Sequence, residues 1–559
     1  MELEKQEKIG NVILDYTYYK GKDLYSDGDI EDELLDLVQE DNWRECVKWN
    51  QKWPILYHLS DVRHNLLEWY PMQGADVLEI GSGCGGVTGV LSEKAKSVTC
   101  IELSKRRSMI NAYRNKEKSN IRIMVGNFQD IVVDKKFDIV TLIGVWEYSK
   151  LYVKSNKPYH EMLSIIQKYL KPDGKVLIAI ENKMGLKYWN GAAEDHTGVC
   201  YSGINDYVEG KKNVRTFSKP EIENILQESG FEKYQFYYPV PDYKLPSTVY
   251  SDLLQPTVSK VRCYKDNYDN PRMYNFYEAV AYDQIIRDNM FPYFANSFLV
   301  VAGKVQEGVA FAKYCRERRA QFRIATYIEK QEGKKWVIKK PLHESAKDHV
   351  LKMKYKEDVW KRILPNLECV VGMTKGDCYY SEYVEGMDVD AYLYDDRLHT
   401  DRFIGQIRAF VDKYLTAPQE ETSAFVCTKE FVEIFGEEYP KNAVSLRCTN
   451  IDLAFSNLRM AQNGKIYCFD YEWIFDFPIP YEYALWRAYM QLYSKYIIYL
   501  KEEKSLVDFL KELGIESENH KIYTNMEKHF LEYVHGKYKQ EQYLRNYRKG
   551  SIEQKIRMM

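Results

Sequence analysis

The sequence predicts an α/β first half, a parallel sheet with helices on both faces, followed by a second half of α+β architecture. Three observations carry that prediction. Between Val77 and Glu102 the stretch VLEIGSGCGGVTGVLSEKAKSVTCIE reads as strand, glycine loop, helix and second strand. Strand and helix patterns then alternate as far as Asn182, which is the mark of a parallel sheet. From Val309 onward the alternation stops, and three short strands run on before one helix.

Gly81, Gly83 and Gly85 let the backbone turn tightly and approach a ligand, and the following helix points its positive end at the same place. Glu102 closes the second strand about 20 residues on, where a carboxylate accepts both hydroxyls of a ribose. The first half is therefore expected to bind a nucleoside. Gly81, Gly83 and Gly86 also satisfy the dinucleotide fingerprint. Glu79, just before the first glycine, would repel a pyrophosphate and suits a ligand carrying an ammonium and a sulfonium. Three further strands with their exits follow in GNFQDI (126–131), KFDIVTLIGVWEY (136–148) and LKPDGKVLIAIEN (170–182). Together these segments resemble the class I S-adenosylmethionine-dependent methyltransferases. The resemblance implies a Rossmann-like fold with an antiparallel closing strand, S-adenosylmethionine as cofactor, and contacts to it from Glu79, Gly81, Gly83, Gly85, Glu102, Asn127 and Gly144.

At 559 residues the chain is too long for one core. Its 45% hydrophobic and 29% charged residues are those of a soluble globular protein, and a net charge of -3 gives no electrostatic case for nucleic acid. The 11 cysteines are scattered without a C-x-x-C pair, as reduced thiols in a cytoplasmic protein would be. No signal peptide and no apolar run near the roughly 20 residues of a membrane span is expected, so any membrane contact is peripheral. The 48 tyrosines offer stacking platforms for sugars or, more plainly, fill half-buried surfaces.

Residues 1–70 are expected to form a helical lid over the cofactor, with helices around 25–38 and 53–69 and with Tyr25 or Tyr57 near the ligand. Residues 71–306 make the methyltransferase-like domain, carrying an insertion at about 242–295. Within it, TFSKPEIENILQESGF (216–231) reads as a helix capped at Ser218. The loop NKMGLKYWNGAAEDHTG (182–198) leaves the last parallel strand at the ligand end of the sheet and is the candidate acceptor loop. A sugar hydroxyl needs a base, for which His196 is the candidate; a phosphate oxygen needs none.

In the second half, VAFAKYC (309–315), FRIATYIEK (322–330) and KWVIKK (335–340) precede a helix over 345–363. SEYVEG (381–386) and TNIDLAFSNLRMAQNGKIYCFDYEW (449–473) follow. This order resembles the protein kinase and aminoglycoside or lipopolysaccharide kinase superfamily. The resemblance implies ATP and Mg2+. It assigns Lys339 to the nucleotide phosphates with Glu357 as its partner, and the hinge at Glu382 and Val384 to adenine. Asp452 becomes the catalytic carboxylate, and Asn457 and Asp470 the metal ligands. Asn450 stands where histidine is usual, DYE replaces D-F-G, and no glycine-rich phosphate loop is visible, so Arg316, Arg318 and Arg319 could take that role. Lys340 is the alternative to Lys339, since strand phase decides between them. The kinase-like domain is expected over 307–515 and a basic helical tail over 516–559. That tail could lie on an anionic membrane, dock a partner or be a solvated helix.

A methyltransferase followed by a kinase resembles the bifunctional enzymes that cap bacterial surface polysaccharides such as O-antigen chains. That implies a lipid-linked glycan acceptor, a glycosyltransferase or polymerase partner, and a cytoplasmic location, peripheral at the inner face of the membrane. Two other readings stay open: a sugar O-methyltransferase with a glycan-binding pseudokinase half, and a tailoring enzyme for a nucleotide sugar or metabolite.

Overall fold

The structure, a computed structural model, describes residues 5–23, 25–50, 52–208, 213–261, 274–304, 308–394 and 399–536. The chain divides into two units, with the boundary between Lys313 and Tyr314. Cys263 and the basic tail beyond Gly536 lie outside the described residues.

The first unit is built on a mixed sheet. Its strands are β1 (Gln6–Ile9), β2 (Val12–Asp15), β3 (Asp76–Ile80), β4 (Ser97–Glu102), β5 (Ile121–Val125), β6 (Phe137–Ile143), β7 (Leu170–Glu181), β8 (Tyr234–Val240), β9 (Thr248–Ser251), β10 (Ser297–Gly303) and β11 (Val309–Tyr314). They lie in the order β1-β2-β5-β4-β3-β6-β7-β10-β8-β9-β11. Strands β2, β5, β4, β3, β6 and β7 are parallel. They are near-continuous apolar runs because helices cover both faces, and Leu78, Val140, Leu142, Val176 and Ile178 are fully buried. β10 then pairs antiparallel with β7, Phe298 opposite Ile180, and with β8 on its other side.

The N-terminal segment differs from the helical lid expected of it. Residues 6–15 form a hairpin whose second strand extends the parallel sheet, Leu14 opposite Ile123. The turn is made possible by Gly10, held at φ +57°, and Val12 and Leu14 are buried. Two short strands of four residues each carry too little alternation to stand out in a sequence. Helices follow at Ile30–Gln39, Trp43–Trp49 and Trp53–Leu59. The last stops at Ser60, whose hydroxyl accepts Val62 N–H and starts a separate 3-10 turn. The helix Lys219–Glu228 begins as expected, with Ser218 N–H donating to the Glu221 carboxylate at 2.8 Å and Pro220 in its first turn.

The second unit opens with the hairpin β12 (Ile324–Gln331) and β13 (Lys334–Pro341), turning at Glu332 and Gly333, both at positive φ. β14 (Glu368–Cys369) lies apart, parallel to the strand Ile466–Cys468. β15 (Gly372–Lys375) and β16 (Cys378–Glu382) complete the sheet β12-β13-β16-β15. Between β13 and β14 runs the helix Lys347–Trp360, and helices Thr400–Tyr414, Tyr481–Lys495 and Ser517–His535 build the remainder. Its core is aromatic: Phe435, Trp473, Tyr483, Trp486 and Phe530 pack together. Many tyrosines are thereby accounted for as core, among them Tyr379, Tyr471, Tyr496 and Tyr523. No helix among the described residues is long and apolar enough to cross a membrane.

Candidate functional site

The glycine loop leaves the carboxyl end of β3. Gly81, Gly83 and Gly85 hold φ of +70°, +53° and +77°, in the left-handed region that only glycine enters without strain. A Cβ on Gly81 would stand 2.5 Å from Val145 Cγ2 and one on Gly85 2.4 Å from Asn111 Oδ1, so side chains do not fit at these two positions. Glu102 ends β4 beside it. Its carboxylate accepts Gly83 N–H at 2.8 Å and Ser104 N–H at 3.1 Å. Burial pushes the Glu102 pKa up, while the Arg107 guanidinium and the backbone N–H groups oppose that rise.

Glu79 is not placed as the sequence reading has it. The carboxylate points inward, accepting Thr88 Oγ–H at 2.7 Å and Cys100 Sγ–H at 3.3 Å. It sits on a five-residue strand buried along its whole length, which sequence alone does not reveal. Gly144, at φ +68°, lies at the end of β6, where an added Cβ would be 2.8 Å from Tyr243 Oη. Asn127 accepts Gln129 N–H at 3.1 Å and shapes the turn after β5. Tyr25 stands 6.3 Å from the Tyr148 ring and under the Arg107 guanidinium, while Tyr57 is covered by Arg63.

The loop 182–198 carries His196 to the ends of β6 and β7. Its Nδ1 lies 3.1 Å from Tyr148 Oη, and its Nε2 lies 3.6 Å from Glu181 Oε2. Glu147 completes the group. Burial alone would lower the His196 pKa, but the Glu181 and Glu147 carboxylates outweigh it and raise it to about 9. The two carboxylates thus favour positive charge at this point of the cluster. Burial and the Glu181 charge push Glu147 up to about 8. Glu181 is held down at about 2 against burial by Lys244 and His196. Lys244 and Lys187 pair in turn with Asp195 and Asp242. Glu147, Glu181, Lys187 and Lys244 were all missed from sequence. The two glutamates end or follow strands at the ligand edge of the sheet, which is a usable signal; Lys244 comes from the insertion and gives none.

In the second unit Lys339 is buried and donates to Asp470 Oδ1 at 2.6 Å, whereas Lys340 is only half-buried; strand phase selects Lys339. Asn457 Nδ2 donates to Asp452 Oδ2 at 3.1 Å and to the Asp452 carbonyl at 3.0 Å. Asn450 bridges Asp452 and Asp470: its Oδ1 accepts Asp452 N–H and its Nδ2 donates to the Asp470 carbonyl. Burial raises the Asp452 pKa, opposed by Arg487, whose guanidinium stands 3.8 Å away.

Glu357 does not pair with Lys339. It is fully buried and accepts Gly372 N–H at 2.9 Å, Tyr379 Oη–H at 2.8 Å and Lys354 Nζ at 2.6 Å. The helix face turned to the site carries His349 instead, two turns earlier, whose Nε2 lies 2.9 Å from Glu472 Oε1. Arg318 ion-pairs with the same carboxylate and is therefore committed. Arg316 stacks over Tyr314 and Arg319 is tied through its backbone to Val534. Glu472 was legible, two residues after Asp470 in DYE; His349 and Arg487 were not. Glu382 and Val384 line a cavity of about 570 Å³ with Cys369, Val371, Gln462 and Tyr467.

Residues 53–235 match the family described as "Methyltransferase domain". This stretch is similar to a methyltransferase domain. It contains the glycine loop, Glu102, Glu147, Glu181 and His196. A curated relative from Staphylococcus carnosus (strain TM300), described as "Uncharacterized methyltransferase", is 32% identical over 103 residues, 18% of this chain. The match covers 45% of that relative, less than half its length. Solved structures similar to the chain include phosphoethanolamine N-methyltransferase 1 of Haemonchus contortus, 16% identical at a TM-score of 0.28, covering 49% of this chain and 48% of that one. Another is the complex between the Haloferax volcanii Trm112 methyltransferase activator and a putative methyltransferase, 16% identical with a TM-score of 0.28, covering 50% of this chain and 98% of that one.

Proposed function

We propose that the chain is a bifunctional enzyme: the first unit transfers a methyl group from S-adenosylmethionine, and the second transfers a phosphoryl group from ATP. The proposed acceptor is the terminal sugar of a lipid-linked bacterial surface polysaccharide, of O-antigen or capsule type. The observation that carries the reading is the Glu102 carboxylate beside the bare glycine loop of the methyltransferase domain. Its donors there are backbone N–H groups, and its remaining lone pairs suit the two hydroxyls of a ribose. Methyl transfer is a direct displacement, so the domain has chiefly to align acceptor and methyl and exclude water. A phosphate oxygen is anionic already and needs no base to take a proton from it.

Phosphoryl transfer is supported by the network of Lys339, Asp470, Asp452 and Asn457. Asp470 keeps Oδ2 and Asn457 keeps Oδ1, so two hard oxygen donors are available to Mg2+, which would neutralise phosphate charge there. Asp452 would orient the attacking hydroxyl. The enzyme would act in the cytoplasm, at the inner face of the membrane beside a glycosyltransferase or polymerase. A second reading, a sugar O-methyltransferase with a non-catalytic kinase-like half, is favoured by Lys339 being held by Asp470 with Glu357 turned away.

The test is mass spectrometry of short glycans incubated with the full-length protein and S-adenosylmethionine, ATP with Mg2+, or both. Addition of phosphate with ATP, and of methyl only when ATP is also present, is expected. Methylation without ATP and no phosphate addition would favour the second reading. No methylation under any condition would refute both.

A further inference from the structure

We propose that Glu147, Glu181 and His196 form a divalent cation site in the first unit, at the carboxyl ends of β6 and β7. One ligand atom from each residue lies within 4.8 Å of the others. Clusters of exposed acids are common without a metal, but these are not exposed: Glu147 is 1% and Glu181 0% accessible. Two buried carboxylates facing one another cost free energy unless a positive charge joins them.

The hydrogen-bond inventory points the same way. Glu147 Oε2 and His196 Nε2 are both buried without a hydrogen-bond partner. The 3.6 Å between His196 Nε2 and Glu181 Oε2 is too long for a hydrogen bond and leaves both atoms free to share a third one. His196 Nδ1 lies 3.1 Å from Tyr148 Oη, so with Nδ1–H donating there, Nε2 turns its lone pair to the carboxylates. Such a second hydrogen bond is what fixes the ring of a ligating histidine.

The cluster is rich in carboxylates. Four carboxylates, Glu147, Glu181, Asp195 and Asp242, face two ammonium groups, Lys187 and Lys244. Carboxylates therefore outnumber ammonium groups by two, and a cation held by Glu147, Glu181 and His196 would take the place of the protons those groups otherwise hold. Glu194 adds nothing to the site, since His196 N–H, Thr197 N–H and Tyr207 Oη–H already hold it. Lys244 occupies the Oε1 side of Glu181 and so directs Oε2 toward the cluster.

Two carboxylates and one imidazole suit Mn2+, Fe2+, Co2+ or Zn2+, and three protein ligands leave coordination positions open. An acceptor oxygen entering one of them would be held at the ligand edge of the sheet, next to Gly144. That role in acceptor binding rests on the methyl-transfer reading; the cation site itself does not.

The test is Mn2+ titration of the full-length protein followed by electron paramagnetic resonance. It is run in an Asp470→Asn background, so that no cation held in the second unit is counted. One Mn2+ per chain is expected, with affinity about 10- to 100-fold weaker in Glu147→Gln and in His196→Gln. Affinity equal to the parent in both variants would overturn the site. Should either variant misfold, nitrogen hyperfine coupling in the parent protein decides alone: one imidazole nitrogen on the bound Mn2+ is expected, and its absence overturns the proposal. Cation binding without methyl transfer to any glycan would refute the proposed function and leave the site standing; methyl transfer without cation binding would do the reverse.

Discussion

Replacing Glu79 by glutamine separates a structural carboxylate from a ligand-binding one. Glu79 is buried on β3, and burial pushes its pKa up from 4.5 to about 7. Between those values the folded chain keeps a proton that the unfolded chain has released, so stability falls as pH rises through the interval. The interval of 7 minus 4.5, at about 1.36 kcal/mol for each pH unit, amounts to about 3 kcal/mol, lost in full above pH 7. Glu79→Gln is uncharged at every pH and keeps an oxygen for the Thr88 hydroxyl. Urea unfolding at pH 5, 6, 7 and 8, followed on the transition that S-adenosylhomocysteine shifts, should show the variant gaining about 3 kcal/mol on the wild type across that range. Its affinity for S-adenosylhomocysteine should stay within about threefold, because the carboxylate faces Thr88 and Cys100 and not the loop. An identical pH slope in both proteins would refute the burial argument. A loss of affinity beyond tenfold would refute the inward placement.

Glu102→Ala should weaken S-adenosylhomocysteine binding about 100-fold by calorimetry, since charge-assisted hydrogen bonds are worth about 1.5–3 kcal/mol each and the freed Gly83 and Ser104 N–H groups recover part; unchanged affinity would refute the ribose assignment. Lys339→Met leaves Asp470 without its cation, at a cost of about 3 kcal/mol. The melting transition of the second unit should drop by roughly 6–12 °C with loss of ATP-dependent phosphate transfer, while Lys340→Met changes neither. Glu357→Ala removes the acceptor shared by Gly372 N–H and Tyr379 Oη–H at about 1–3 kcal/mol, lowering the same transition. Phosphate transfer, assayed well below that transition, should remain; its loss would show that Glu357 reaches Lys339 during turnover.

The features legible in the sequence are those that repeat a local physical requirement. Three glycines forced to positive φ, a carboxylate at the end of the next strand and a capped helix at Ser218 each announce themselves within a few residues. The choice between Lys339 and Lys340 was already posed correctly by the two-residue period of a strand, and only the sheet's orientation was wanting. The hairpin at 6–15 was missed because four-residue strands carry no usable periodicity, although their place in the sheet comes from pairing with residues more than 100 positions away.

The sequence by itself determined that a parallel sheet with a nucleoside-type loop comes first and a different architecture second, because period and turn chemistry are local. Only the tertiary structure decided which way the charged side chains face. Glu79 turns inward because β3 is buried on both faces. Glu357 lies on the helix face turned to Tyr379, and His349 on the face turned to Glu472. Glu147, Glu181, His196 and Lys244 come from four separate segments and meet only because the strands end at one edge of the sheet. A buried charge is stabilised by whatever surrounds it in space, and distance along the chain carries no record of that.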